Sequence, residues 1–145
     1  MREFSDFDGA KVAILHGSRV VTILRDDAPD IAFPNMWDFP GGAREEGESP
    51  EQCVLRKLDE ELSLKLAPEQ LSWKRRFGPE RQGMPVTWLF VAELPDLDEG
   101  RLRLGGAGQA WRMFDAERFL RQSNAVPHLK AQLSEYLDGR DALEG

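Results

Sequence analysis

The chain has 145 residues, 41% of them hydrophobic, which suits one domain over 1–145 with its own core and excludes a disordered tail. A formal charge of -7, from 19 Lys and Arg against 26 Asp and Glu, argues against a broad grip on a nucleic-acid polymer, which needs clustered cations. No apolar run is long enough to cross a bilayer, and no apolar signal stretch follows Met1. Cys53 is the single cysteine, so an internal disulfide is excluded, and a cytoplasmic location with no membrane partner is expected.

In chain order, residues 10–15 and 20–24 are short β-prone runs, and His16–Arg19 between them reads as a hairpin turn. Residues 25–41 carry several prolines, glycines and aspartates and read as a long loop with a brief strand near Met36–Phe39. A helix is expected over 50–62. Ser49 is a good N-cap, Pro50 suits the first helical position, and Gln52 completes a capping box. Leu55, Leu58 and Leu62 form its apolar stripe.

Two strands follow, at about 71–77 and 86–93. The second has apolar residues on both faces, as a central strand covered on two sides would. Ala110–Phe114 reads as another strand, Asp115 as the cap of a short helix through Leu120, and Leu129, Leu133, Tyr136 and Leu137 as one face of a last helix ended by Gly139. Strands, helix, strands, helices in that order favour a mixed sheet between helices.

The chemistry concentrates in Trp37-Asp38-Phe39-Pro40-Gly41-Gly42 and the following residues through Leu64. Glu60 and Glu61 are adjacent, Glu48 lies just ahead of the helix, and helical spacing puts position 57 on their face. Carboxylates crowded in this way repel unless a hard cation lies among them. Taken singly, each piece has an ordinary explanation. Paired glutamates are usually a solvated helix face, Arg56–Glu60 and Lys57–Glu61 could be plain i,i+4 pairs, and two glycines make a turn.

Their joint spacing carries more. The stretch Gly42–Leu64 resembles the Nudix box, which runs Gly, five residues, Glu, seven residues, then Arg-Glu-aliphatic-any-Glu-Glu-any-Gly-aliphatic. Gly42, Glu48, Arg56, Leu58, Glu60, Glu61 and Leu64 agree with it, seven of nine specified positions. One register matching all five non-aliphatic types by chance is on the order of one in a million. The resemblance implies an α/β fold, an α/β/α sandwich around a mixed β-sheet. It also implies Mg²⁺ or Mn²⁺ held by the Gly42 carbonyl, Glu60 and Glu61, with Arg56 fastening the loop to the helix through acidic side chains. The expected partner is a nucleotide-like small molecule, and dimers are common in the family.

Two departures bear on catalysis. Lys57 stands where the family has a glutamate that contributes to the metal cluster, and a charged lysine cannot take a proton from water. It could instead approach a phosphate oxygen directly. Gln109 stands where many members carry an acid before the Trp111 strand, and it can position water but is a poor base. Ser63, in place of glycine, matters less, since serine occupies many helix ends. Glu48 or Glu61 is left as the candidate base.

The expected activity is metal-dependent hydrolysis of a phosphate anhydride in a nucleoside diphosphate linked to another group. The alternative is a Nudix domain that binds such a ligand without cleaving it. Trp37, Trp88 and Trp111 are expected in packing, Cys53 likewise, and His16 and His128 receive no catalytic role. Asp26-Asp27 reads as a solvated loop. Ligand discrimination is expected from the 25–37 or 77–85 loops.

Overall fold

The computed structural model describes residues 6–144, with side chains described through Asp141. The N-terminal stretch read for a signal lies almost wholly outside that range. The strands are β1 (Gly9–His16), β2 (Arg19–Leu24), β3 (Trp37–Asp38), β4 (Gly41–Ala43), β5 (Trp73–Phe77), β6 (Thr87–Glu93) and β7 (Ala110–Asp115). The helices are α1 (Pro50–Leu62), α2 (Ala116–Arg121) and α3 (Pro127–Glu144), with single 3-10 turns at Pro68–Gln70 and Glu99–Arg101.

All seven strands belong to one sheet, with β3, β2, β1, β6 and β5 side by side, β4 also on β1 and β7 also on β2. The β1–β6 pair is parallel and the others are antiparallel, so the sheet is mixed as expected.

Strand alternation builds two cores. Val12, Ile14, Val21, Ile23, Phe90 and Ala92 pack with Cys53, Val54, Leu58 and Leu62 of α1. Ala13, Leu15, Val20, Leu89 and Val91 pack on the opposite face with Phe119 of α2 and Leu129, Leu133 and Tyr136 of α3. Leu58 and Leu62 are wholly buried, and each such leucine contributes roughly 1.5–3 kcal/mol over exposure. The stripe of α1 runs through Cys53 and Val54 more than Leu55, which is only partly buried against the same core.

The hairpin of β1 and β2 is the feature that makes a site possible. Its strands pair near the turn, Leu15 with Val20 and His16 with Arg19. The segment 37–43 then bridges the diverging ends. β3 pairs with the end of β2 through Ile23–Asp38 and Leu24–Trp37. β4 pairs with the start of β1 through Gly9–Ala43, Ala10–Gly42 and Lys11–Gly41. Pro40 stands at the crossing, its carbonyl accepting from the Val12 amide at 2.9 Å. Gly41 must be glycine here: its φ is +138°, and a Cβ would overlap the Ala10 carbonyl oxygen.

Several boundaries differ from expectation. The strand expected from 71 starts at Trp73, because Pro68–Gln70 forms a 3-10 turn first. β4 has no signature in the sequence, since Gly-Gly-Ala carries no alternation of apolar and polar residues. Gly139 does not end the last helix: it lies inside α3, without a positive φ. Beyond it, Arg140 places one guanidinium nitrogen 3.1 Å from Glu93 of β6 and stacks its cation over Tyr136. Those contacts extend the helix past the glycine.

Candidate active site

The entry to α1 is held as the sequence suggests. Ser49 Oγ accepts from the Gln52 amide at 3.1 Å, and Gln52 Oε1 accepts from the Ser49 amide at 2.9 Å. At the other end Ser63 adopts the left-handed conformation, φ 55°, and its amide donates to the Asp59 carbonyl. That conformation is why glycine suits the position, and a serine there costs about 1 kcal/mol.

Arg56 organises the outer side of α1. Its Nε and Nη2 donate to the two carboxylate oxygens of Glu48 at 2.7 and 3.0 Å. Nη1 donates to Glu60 at 3.1 Å and Nη2 to the Ala43 carbonyl at 3.1 Å. Glu48 also accepts from the Glu45 amide at 2.8 Å. The Arg56 hydrogen bonds hold the Glu48 carboxyl below the ordinary glutamate range, against the opposing effect of burial. In return Glu48 raises the Arg56 guanidinium further still. The fork geometry is what arginine provides and lysine cannot.

The inner side of α1 faces the fork in the sheet. A cavity of about 220 Å³ lies there, lined among others by Lys11, Arg25, Asp38, Lys57 and Glu61. Asp38 is buried. Its Oδ2 accepts from Lys11 Nζ at 2.8 Å and from Arg25 Nη1 at 3.0 Å, and its Oδ1 from the Phe39 amide at 2.7 Å. A buried carboxylate needs such partners. Glu61 Oε1 accepts from the Gly41 amide at 2.8 Å. Burial pushes the Glu61 carboxyl above its ordinary value; the Gly41 amide and the charges of Lys11 and Lys57 oppose the rise, while Asp38 adds to it.

Lys57 lines this cavity with its stem against Gly42. A Cβ at Gly42 would lie 2.7 Å from Lys57 Cε. Its Nζ lies 3.8 Å from Glu60 Oε2, so the lysine pairs at i,i+3 rather than with Glu61. Gly42 itself aims its carbonyl at Cys53 Sγ, 3.6 Å away.

Of the residues singled out from sequence, Gly42, Lys57 and Glu61 therefore meet at the cavity, whereas Glu48, Arg56 and Glu60 meet on the outer side. Gln109 belongs to neither group. Its Nε2 donates to the Arg25 carbonyl at 2.8 Å and to Asn35 Oδ1 at 2.9 Å, so the amide fastens two loops instead of standing free for a water. Asp26 is not merely solvated: it accepts from the Gly108 amide at 3.2 Å and lines the cavity. The 25–37 loop lines the cavity through Arg25, Asp26 and Ile31, and no residue of 77–85 does. Lys11 and Asp38 escaped the sequence reading, although a lone lysine inside an apolar strand and an aspartate between Trp37 and Phe39 were visible signals.

No group of three or more His, Cys, Asp and Glu among the described residues is gathered tightly enough to hold a metal ion. Glu60 and Glu61 are nonetheless hard oxygen donors, and Mg²⁺ asks for only one or two carboxylates beside water and phosphate. One such cation fits at Glu61, which lines the cavity, and Glu60 would join it only by leaving Arg56 and Lys57. A cluster does not fit, because Arg56 occupies both oxygens of Glu48 and the Lys57 ammonium takes the side of Glu60.

Comparison with known proteins places these features. The model of the NUDIX domain matches residues 8–136. The 8-oxo-dGTP diphosphatase of Escherichia coli K12 is 31% identical over 83 residues, which is 57% of this chain and 63% of that protein. The chain spans less than two thirds of the length of the curated relatives it matches. The MutT protein of Methanosarcina mazei Go1 shares the fold with a TM-score of 0.72 over 92% of this chain and 94% of that one, at 14% identity. A Francisella tularensis bifunctional NMN adenylyltransferase/ADP ribose pyrophosphatase, complexed with AMP and Mn, aligns with a TM-score of 0.59 and 20% identity over 82% of this chain and 35% of its own. A domain match across most of the chain, on a mixed sheet between helices with the glycine bend and the Arg56 clamp where the box requires them, means that this chain belongs to the Nudix family.

Proposed function

We propose that the chain hydrolyses a phosphate anhydride in a nucleoside diphosphate linked to another group, with one Mg²⁺ or Mn²⁺ held by Glu61 and by Glu60 once it turns from Arg56. The observation that carries this reading is Glu61 of α1 in one cavity with Lys11, Arg25 and Lys57. The bound cation would neutralise phosphate charge and make water more acidic. The chain's own residues supply the rest. Glu61 is the better base, because of the two candidates it alone lines the cavity. Glu48 is engaged on both oxygens by Arg56. Water adds to phosphorus, the bridging P–O bond breaks, the water proton goes to Glu61, and the departing phosphate keeps the bridging oxygen. Lys57 steadies the charge on the phosphates.

The relatives' names point to nucleoside polyphosphate and ADP-ribose chemistry, so the panel to test contains 8-oxo-dGTP, other nucleoside triphosphates, ADP-ribose and nucleotide sugars. Mass spectrometry with and without Mg²⁺ reads the outcome. Metal-dependent cleavage, abolished by Glu61→Gln, is expected; an uncleaved panel sinks the proposal.

A second reading has its own support. Lys57 replaces an acid, and Gln109 is committed to loop contacts, which favours a domain that binds its ligand and leaves it intact. It predicts a raised melting temperature with a ligand recovered unchanged, and a gain of turnover in Lys57→Glu.

A further inference from the structure

We propose that the cavity grips a phosphate chain directly through Lys57, Lys11 and Arg25, so that binding, unlike turnover, needs no divalent cation. The inference rests on the reading above only in taking this cavity as the phosphate site.

Charge balance is the first support. The cavity lining holds three cations, Lys11, Arg25 and Lys57, against three carboxylates, Asp26, Asp38 and Glu61. With glutamate at position 57 there would be two cations against four carboxylates. An anionic ligand would then have to bring a cation with it. Lysine at 57 removes that requirement within the chain itself.

Geometry is the second. The Lys57 stem lies across the bare Cα of Gly42, in space that a Cβ at 42 would enter, and the residue lines the cavity from there. Its ion pair to half-exposed Glu60, at 3.8 Å, is of the weak surface kind and is readily exchanged for a phosphate oxygen.

The third support is the fork on Asp38. Lys11 and Arg25 come from β1 and from the residue after β2, and both donate to the same oxygen of one buried carboxylate. One negative charge thus holds two positive ones in place, leaving a net positive pair. Lysine has three N–H donors and arginine five. Lys11 commits one to Asp38. Arg25 commits one to Asp38 and its Nε to the Ala32 carbonyl. The remaining donors can meet phosphate oxygens without breaking the fork. Asp38 positions Lys11 and Arg25 before a ligand arrives, which favours binding.

The test is isothermal titration of the full chain with inorganic pyrophosphate and tripolyphosphate in excess EDTA. Saturable one-to-one binding is expected. Lys57→Gln and Lys11→Gln should each weaken it roughly tenfold or more, the loss of one charge-assisted contact. Lys65→Gln, an exposed lysine outside the cavity lining, should leave it unchanged. Lys57→Glu should abolish binding in EDTA and recover it when Mg²⁺ is added. Circular dichroism confirms that each variant is folded. Absence of saturable binding in EDTA, or a Lys57→Gln variant that titrates like the wild type, overturns the proposal. Pyrophosphate binding in EDTA without any turnover in Mg²⁺ would instead refute the hydrolase reading and leave this one standing.

Discussion

Glu60 and Glu61 are neighbours in sequence and stand in opposite settings. Glu60 is half-exposed and held by Arg56 and Lys57, within a clamp that joins the box loop to α1. Glu61 is turned to the fork in the sheet, partly buried, with the Gly41 amide on one oxygen. The clamp is an arrangement whose charges satisfy one another, and its acid Glu48 is stabilised as an anion. The cavity sets three cations and three carboxylates around open space, and its acid Glu61 is destabilised as an anion. One helix, by successive residues, therefore contributes both a structural ion network and one wall of the cavity.

That division can be broken experimentally. The largest effect is expected from Gly41→Ala, which joins the two regions. The positive φ and the overlap with the Ala10 carbonyl should cost about 3 kcal/mol or more. A melting curve within a few degrees of the wild type would show that the bend tolerates a side chain. Arg56→Ala comes next, at about 2 kcal/mol, because it strands Glu48, which is mostly shielded from solvent. Urea denaturation measures it, and Arg56→Lys should rescue little, since one ammonium cannot span both Glu48 oxygens. If Arg56→Ala weakened pyrophosphate binding as much as Lys57→Gln does, clamp and cavity would be one unit and the contrast would fail.

Acidity should separate the two glutamates by sign. Glu48 has a lowered value in the fold, so its contribution to stability is present above the unfolded value of 4.5 and is lost as the pH falls below it. Glu61 has a raised value, so its cost is absent below 4.5, grows as the pH rises from there to its folded value and is full above it. In metal-free buffer, Glu61→Gln should accordingly melt higher than the wild type at pH 7 and equal to it near pH 4, while losing turnover with Mg²⁺. A Glu61→Gln protein that melted lower at pH 7 would contradict the assignment of burial as the leading cause. The smallest effect is at Ser63. Replacing it by glycine should stabilise the chain by about 1 kcal/mol by relieving the left-handed serine, read as a shift of roughly 2–4 °C.

Much of this was legible in the residues because its causes are local. Ser49, Pro50 and Gln52 define the start of α1 through contacts within four residues, and α1 indeed runs from Pro50 to Leu62. The alternation in 86–93 states that the strand has two covered faces, and Phe90 and Leu89 do enter opposite cores. Gly139 misled because local chemistry favours a stop there, whereas Arg140 finds partners on β6 and α3 that no local rule contains. Gln109 looked available for water for the same reason: its partners, Arg25 and Asn35, are more than seventy residues away.

By itself the sequence determined the family box, the caps and period of α1, the central place of the 86–93 strand and the presence of a lysine where an acid is usual. These follow from spacing along the backbone, which the order of residues specifies directly. Only the tertiary structure decided that Glu48 and Glu60 share Arg56 while Glu61 faces the fork, and that Lys11 and Arg25 converge on Asp38. Those outcomes depend on β1 and β2 parting to admit residues 37–43, and a long-range pairing of that kind has no signature in any short stretch of chain.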